Sequence, residues 1–153
     1  MGWKSPTGHT TPTNWSYPEE AYDGDADIYT YCQVPPVSWS SYLELLISPV
    51  ILCDKIRFYP LSGYNIPAVD VDVYCNGTWC DVYEGGFIVE EWNEKIIPNG
   101  PFAVSKARIR FYNNHPTASR TSRLGEFDFN QIAARPLVNG SLAGGNQIGK
   151  GLV

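Results

Sequence analysis

The chain has 153 residues, which is enough for one domain with a buried core and short for two. Its net charge of −5 and acidic isoelectric point argue against a nucleic-acid partner, because no basic patch is available to replace the counterions of phosphates. Abundant Trp, Tyr and Phe, frequent Gly and Pro and scarce Lys are typical of an all-β protein.

No segment of the sequence has the character of a membrane span or an export signal. The most apolar run, residues 43–52, is interrupted by Glu44, Ser48 and Pro49. The first residues, Met-Gly-Trp-Lys-Ser-Pro, lack the apolar segment of a signal peptide. We therefore expect no membrane partner, and a protein that is made in the cytoplasm and leaves, if at all, by another route such as lysis.

Composition divides the chain into three segments. Residues 1–18 are predicted to form an irregular N-terminal arm, because prolines and glycines interrupt any regular element. Such an arm either wraps its own domain or reaches a neighbouring subunit. Residues 19–134 carry the strand patterns and are predicted to be the globular domain. Residues 135–153 are Gly-rich and poor in apolar side chains, so we predict a C-terminal arm that is disordered alone or ordered by a partner.

Alternation of apolar and polar residues predicts about eight short strands and no helix longer than a turn. An acidic turn leads into a first strand that ends near Cys32, and a second strand is predicted at 42–47, with Pro49 ending it. The other strands are predicted at 53–59, 69–75, 78–83, 104–112 and 124–132, with short strands or edges at 87–89 and 92–97. Strands at this spacing indicate a β-sandwich or barrel, so the predicted fold is an antiparallel β-sandwich or jelly roll with irregular arms.

The strongest local signal is the segment Val69 to Tyr83, which has Asn76-Gly77 at its centre. Asn-Gly supplies the two positive-φ residues of a type I′ turn, and both flanking arms alternate, so this segment predicts a β-hairpin. The two-residue loop fixes the register: Cys75 opposite Thr78, Val73 opposite Cys80, and Val71 opposite Val82, all on the core face.

The other face of this hairpin collects like charges. Asp70, Asp72 and Asp81 are predicted to lie close together, with Asp72 directly opposite Asp81, and carboxylates placed in this way repel each other. A strand with outward cations beside them would offset the repulsion. Two segments have that pattern, so we expect either Lys55 and Arg57 or Arg108 and Arg110 beside the hairpin.

The four cysteines are Cys32, Cys53, Cys75 and Cys80. Their spacing does not match a zinc site. Cys75 and Cys80 lie diagonally across the hairpin, in a geometry that disulfides do not favour. In a chain without an export signal, we expect reduced cysteines that are buried as small apolar residues.

The order of these motifs resembles one known family. An Asp-Gly-Asp turn, the strand Tyr42-Leu43-Glu44-Leu45, Lys-Ile-Arg-Phe, Ala-Arg-Ile-Arg-Phe and a closing Glu-Phe-Asp-Phe follow one another as in discoidin-type domains. These are the galactose-binding-like jelly rolls, also called coagulation factor C-type domains. The resemblance covers roughly residues 19–133.

The resemblance implies two sites, of which the first is a structural calcium ion. In this sequence its ligands would be Asp23 and Asp25 of the turn and Glu126 of the last strand, with backbone carbonyls completing the shell. Oxygen ligands from distant segments suit calcium. The alternative is an Asx-turn in which the carboxylates accept bonds from backbone N–H groups.

The second implied site binds a ligand through loops at one end of the sandwich. A sugar needs an aromatic ring for its apolar side and polar groups for its hydroxyls. The candidates for this role are Trp39, Tyr64, Asn65, Trp92, Asn113, Asn114, His115 and Arg120. The alternative is that the aromatic candidates pack on the rim of the core and that His115-Pro116 only forms a turn.

Two functions from different classes follow. The N-terminus resembles small tailed-phage structural proteins, which implies a virion decoration or tail component with arms that contact neighbouring subunits, in a homo-oligomer or lattice. The other function is a carbohydrate-binding adhesive module that acts on surface glycans through many weak copies. We expect no enzyme, because no nucleophile motif, phosphate-binding loop or zinc signature occurs and Glu19-Glu20 and Glu90-Glu91 cannot flank a glycosidic bond.

Overall fold

A computed structural model of the chain describes residues 1–11, 14–133, 137–138 and 141–142. Almost all regular structure in this part of the chain is β, and no described helix is long and apolar enough to cross a membrane. The acidic turn contains a short 3₁₀ helix, Pro18–Tyr22. The strands are β1 (Gly2–Lys4), β2 (Gly8–His9), β3 (Thr30–Val34), β4 (Ser38–Trp39), β5 (Leu43–Pro60), β6 (Ala68–Cys75), β7 (Thr78–Gly85), β8 (Asn93–Ile96), β9 (Phe102–Asn113), β10 (Arg120–Gln131), β11 (Leu137–Val138) and β12 (Ser141–Leu142).

The strands form an antiparallel sandwich that is held together by one long strand. The main path is β1-β10-β5-β9-β6-β7, and β2, β3, β4 and β8 pair at its sides. The first half of β5 lies between β2 and β9, whereas its second half lies between β8 and β10. Strand β5 therefore passes from one layer to the other. The predicted all-β sandwich is confirmed.

The core lies between the two layers and is filled from the alternating positions of the long strands. Phe58, Phe111, Phe127 and Phe129 are fully buried together with aliphatic residues of β5, β6 and β9. Burying one such aromatic side chain contributes roughly 2–3 kcal/mol. This core holds the strand ends, and hence the loops, in fixed positions.

Strand β5 corrects one prediction. Pro49 was expected to end a strand at residue 47, but the strand continues through it to Pro60. A register shift between Leu46 and Ile51 places residues 48–50 outside the ladder and exposed to solvent. Proline is tolerated at such an irregularity because no ladder bond needs its missing N–H. The edge predicted at residues 87–89 is likewise not a strand, since β8 begins at Asn93.

The central hairpin is confirmed up to a bulge. Cys75 pairs with Thr78, Val73 with Cys80, and Asp72 with Asp81, as the Asn-Gly turn predicts. Beyond Asp72 the register shifts, so Val71 pairs with Tyr83 and the predicted partnership of Val71 with Val82 is wrong. An extra residue in one strand of a pair produces this displacement.

Strand β9 supplies the cations beside the hairpin. Arg108 pairs with Asp72 at 2.8 Å and Arg110 with Asp70 at 2.9 Å, which selects the second of the two expected arrangements. Arg57 belongs to the other layer, where it pairs with Asp128 at 2.8 Å. Two of the three aspartates that repel one another in the isolated hairpin, Asp70 and Asp72, are thus neutralised by the neighbouring strand.

The cysteines differ from the prediction. Cys75 and Cys80 form a disulfide, whereas Cys32 and Cys53 are free and buried, as expected for small apolar residues. The Cα atoms of Cys75 and Cys80 lie 6.1 Å apart, inside the range that disulfides bridge. The expectation that these diagonal cysteines have an unfavourable geometry for a disulfide and stay reduced was therefore wrong.

The predicted N-terminal arm is more regular than expected. Gly2–Lys4 pairs with Phe129–Gln131 of β10, and Gly8–His9 pairs with Leu45–Leu46 of β5. These contacts fit the alternative in which the arm wraps its own domain. Most of the predicted C-terminal arm lies outside the described residues. The division into two arms and a sandwich stays a prediction.

Candidate functional site

Four loops meet at one end of the sandwich. The ladder pairs Ser38 with Asn113, Ala68 with Tyr112, and Val34 with Arg120. The β3–β4 loop (35–37), the β5–β6 loop (61–67) and the β9–β10 loop (114–119) therefore emerge side by side. The Glu90 N–H donates to the Pro60 carbonyl at 2.8 Å and brings the β7–β8 loop to the same end. This end is where the candidate ligand residues lie.

Asn113 and His115 shape the loop between β9 and β10. Asn113 is fully buried, and its side-chain amide donates to the carbonyls of Val34, Pro35 and Ala118 at 2.9–3.2 Å. His115 accepts from the N–H groups of Thr117 and Ala118 through Nδ1. Both residues therefore hold the loop, in agreement with the turn alternative, and Asn113 has no surface for a ligand.

Tyr64, Asn65 and Arg120 lie together on the outer side of this end. The side chain of Asn65 accepts from Arg120 Nε at 3.0 Å, and its carbonyl accepts from the Asn114 N–H at 3.0 Å. Tyr64 is 88% exposed. The loop of Tyr64 is thus fixed by hydrogen bonds while the phenol ring stands in solvent.

The two tryptophans do not join this group. Trp39 packs on Tyr112 and Arg110, with ring centroids 5.2 Å apart for the aromatic pair. Trp92 covers Arg57 in the other layer, with the guanidinium carbon 3.9 Å from the ring centroid. Each is half-buried against its own sheet, as the rim alternative predicts.

A shallow cavity of about 390 Å³ lies beside Tyr64. Ser62, Gly63, Tyr64, Val89 and Arg123 line it. Sequence reasoning missed Arg123, because the strand was predicted to begin at residue 124 and no local pattern shows that Arg123 lies next to the loop of residues 61–67. In the structure β10 already begins at Arg120, and its pairing places Arg123 there.

The candidate calcium loop is built by residues 23–27. The Asp25 N–H donates to Asp23 Oδ1 at 2.9 Å, and the Asp27 N–H donates to Asp25 Oδ1 at 3.0 Å. These are the Asx-turns of the alternative interpretation. The Gly24 N–H donates to Glu126 Oε2 at 3.1 Å and joins the loop to β10.

Glu126 of β10, which the Gly24 N–H joins to this loop, has a property that Asx-turns do not explain. The residue is 4% exposed, and its Oε1 has no hydrogen-bond partner among the described residues. The pKa of Glu126 is raised to about 8, mainly by burial and further by the nearby Asp128 and Asp23 carboxylates, against the lowering effect of the hydrogen bond from the Gly24 N–H. A buried carboxylate oxygen without a partner fits a calcium ligand, since a divalent cation would satisfy both its charge and its lone pairs.

A second acidic group consists of Asp70, Asp72 and Asp81, which have oxygens within 4.8 Å of one another. Burial raises the pKa of Asp72, opposed first by its hydrogen bond from Arg108. Arg108 and Arg110 already neutralise two of the three carboxylates. The group is therefore an ion-pair network on the sheet.

The chain matches no protein-family model and no curated protein, but solved structures are similar over most of its length. CBM32-1 from a family 31 glycoside hydrolase of Clostridium perfringens gives a TM-score of 0.58 at 13% identity and covers 84% of this chain and 92% of that one. The family 32 carbohydrate-binding module of C. perfringens NanJ, solved with galactose, gives 0.55 at 15% identity, with 84% and 93% covered.

An F5/8 type C domain from Bacteroides fragilis gives a TM-score of 0.53 at 13% identity and covers 85% of this chain and 97% of that one. The chain therefore has the fold of the discoidin-type, galactose-binding-like domains, as its motif order predicts. At these identities the similarity establishes the fold alone. No such similarity supports the phage resemblance of the N-terminus.

Proposed function

We propose that this chain is a non-catalytic carbohydrate-binding domain that contacts glycans through the loop end around Tyr64. The observation that carries the proposal is the exposed Tyr64 ring on a hydrogen-bonded loop, beside a cavity that Ser62 and Arg123 also line. Exposing an aromatic ring to water is unfavourable. The apolar face of a pyranose can pack on such a ring and cover it. A preformed loop also reduces the entropy lost on binding.

The similar structures support the same class. Several of them are carbohydrate-binding modules, and individual similar structures were solved with galactose, with an unsaturated mannuronic acid and with Lewis b. Some of these modules belong to glycoside hydrolases, which supports a role in attachment rather than in catalysis for this domain. Weak sites of this kind gain avidity when many copies act together.

A catalytic role has little support in the described chain. Nδ1 of His115 accepts two backbone N–H groups, and Nδ1 of His9 lies 2.8 Å from the Tyr22 hydroxyl, so each imidazole holds local structure. The predicted virion role rests on the resemblance of the N-terminus, and subunit contacts through the arms stay a prediction. The carbohydrate-binding alternative is the better supported of the two functions.

Calcium belongs to this proposal as a structural ion. Glu126 and backbone carbonyls of residues 23–27 would hold it. Asp23 and Asp25 belong to the same loop and would contribute carboxylate oxygens. The ion would neutralise the buried Glu126 and fasten the loop to β10. Because β3 starts directly after this loop, the ion would also fix the start of that strand.

The substitution Tyr64→Ala tests the proposed site. We expect at least a tenfold loss of affinity for any glycan that binds, since an aromatic contact with a ligand contributes about 1–3 kcal/mol. Glycan-array binding followed by isothermal titration measures it. Stability should not change, because the ring is 88% exposed.

Ile96→Ala is the matched control, since Ile96 is a large side chain that is 75% exposed on β8. It should leave binding unchanged. Equal binding by the wild-type protein and Tyr64→Ala would refute the location of the site. Absence of binding to every glycan on the array, with and without calcium, would refute the function.

A further inference from the structure

The arginines of the described chain fall into two groups. Arg57, Arg108 and Arg110 each lie within 2.9 Å of an aspartate oxygen, so aspartates of the sheets neutralise their charge. Arg123 and Arg120 have no carboxylate partner among the described residues, and both lie on the side of the sandwich that carries Tyr64. In a chain of net charge −5, two uncompensated arginines on one side are a local exception.

Arg123 is held in place without being neutralised. Its Nη1 donates to the Ser62 carbonyl at 2.7 Å, and its guanidinium carbon lies 5.6 Å from the centroid of the Tyr29 ring. The single described hydrogen bond leaves the other edge of the guanidinium, Nε and Nη2, for another partner. A guanidinium that is fixed in this way loses little entropy when it binds an anion.

Arg123 also joins two cavities. One is the cavity of about 390 Å³ beside Tyr64, and the other, of about 300 Å³, is lined by Tyr29, Tyr31, Thr121 and Arg123. Tyr31 pairs with Arg123 in the ladder between β3 and β10, so the second cavity lies across these strands, and the first lies toward Ser62, to which Arg123 donates. We call the two cavities that share Arg123 the groove; Tyr64 lines one part of it, and Tyr29 and Tyr31 line the other.

We propose that this groove binds an acidic oligosaccharide, with Arg123 contacting a sugar carboxylate and Tyr29, Tyr31 and Tyr64 contacting the flanking sugar rings. The inference rests on the proposed function and adds the class of glycan. Arginine matches the planar carboxylate with two parallel N–H donors, so the guanidinium of Arg123 is enough to bind one sugar carboxylate. Hydroxyl groups of Thr121 and the tyrosines suit the sugar hydroxyls.

A polyanion such as a nucleic acid fits this groove less well. Nucleic-acid binding needs several cations along a backbone, whereas the two cavities share a single one and the protein as a whole is acidic. The lining instead combines rings with hydroxyl groups, as sugar-binding surfaces do.

The experiment compares matched pairs of glycans on one array. Each pair contains a uronic-acid or sialic-acid oligosaccharide and the same oligosaccharide with its carboxylates reduced to alcohols, and sulfated neutral oligosaccharides are included. The wild-type protein should bind at least one acidic member about tenfold or more tightly than its reduced partner, as expected for a charge-assisted pair. Arg123→Gln should remove that preference, and Arg123→Lys should retain part of it.

Lys95→Gln is the control for net charge, since Lys95 is a half-buried cation that packs on Tyr83 in another part of the sheet. It should preserve the preference for acidic glycans. Circular dichroism of Arg123→Gln confirms that the variant folds, and Arg123→Lys provides a second test if it does not.

The outcomes separate the two proposals. Equal affinity for acidic and reduced partners, lost in Tyr64→Ala, would overturn the acidic class and leave the proposed function standing. A preference for sulfated over carboxylated glycans would overturn the carboxylate contact. No binding to any acidic, reduced or sulfated glycan would overturn the carbohydrate function itself.

Discussion

With divalent cations removed by a chelator, the protein is expected to lose stability as the pH rises from about 4.5 to about 8. Burial holds the pKa of Glu126 at about 8 in the native state, whereas the same carboxyl in the unfolded chain titrates near 4.5. Between these values the native state keeps a proton that the unfolded state has released. Each pH unit therefore lowers the free energy of unfolding by up to about 1.4 kcal/mol.

The stabilising effect of Glu126 is thus complete below pH 4.5 and is lost by pH 8. Urea denaturation across this pH range measures it. Glu126→Gln carries a neutral amide of the same shape and should remove this part of the slope, so the difference between the two proteins isolates Glu126 from every other titrating group. Identical slopes in the two proteins would contradict the expectation.

Calcium adds a second arm to the same experiment. At pH 8 the wild-type protein should gain several degrees in its unfolding temperature when calcium is added, because the ion replaces the proton on a buried carboxylate. Glu126→Gln should gain little. If calcium changes neither protein, the loop is a set of Asx-turns alone and the proposed ion is wrong.

The substitution Arg108→Ala is expected to destabilise the protein by about 2–3 kcal/mol. Arg108 neutralises Asp72, which is buried and faces both Asp70 and Asp81. Its guanidinium also packs on the rings of Tyr42 and Trp79, with centroid distances of 4.1 and 4.3 Å. Without it, a buried carboxylate is left among like charges.

The double variant Arg108→Met with Asp72→Leu should recover most of this loss, because removing both members of a buried pair leaves no uncompensated charge. Lys55→Ala is the control for an exposed pair, since the Lys55 and Glu94 side chains are 33% and 49% exposed. We expect it to cost less than about 1 kcal/mol. Equal losses for Arg108→Ala and Lys55→Ala in urea denaturation would contradict this account.

Much of the fold was predictable because its signals are local. Asn76-Gly77 fixes the hairpin register from two residues, and period-two alternation identifies the strands that carry Arg57 and Arg108.

The errors arose where a local propensity was applied without the pairing of strands. Proline disfavours a strand by propensity, but a register shift between Leu46 and Ile51 places Pro49 outside the ladder. Cys75 and Cys80 form a disulfide with their Cα atoms 6.1 Å apart, a distance that the alternation pattern does not give.

The candidate site was predictable in part. The sequence identified Tyr64 and Arg120 by residue type and loop position, and the structure places both at the same end of the sandwich. It could not exclude Asn113, because burial depends on the whole core. It also missed Arg123, Tyr29 and Tyr31, which form one surface only because β3 and β10 pair.

The all-β class, the central hairpin and the order of motifs shared with discoidin-type domains follow from the amino-acid sequence, since each depends on residues that are near neighbours in the chain. Other properties follow from the folded chain: which cations neutralise the aspartates, which loop residues remain exposed and which arginines lack a carboxylate partner among the described residues. These properties depend on pairing between strands that lie far apart in sequence. Such pairing is selected by the packing of the whole core rather than by any one segment.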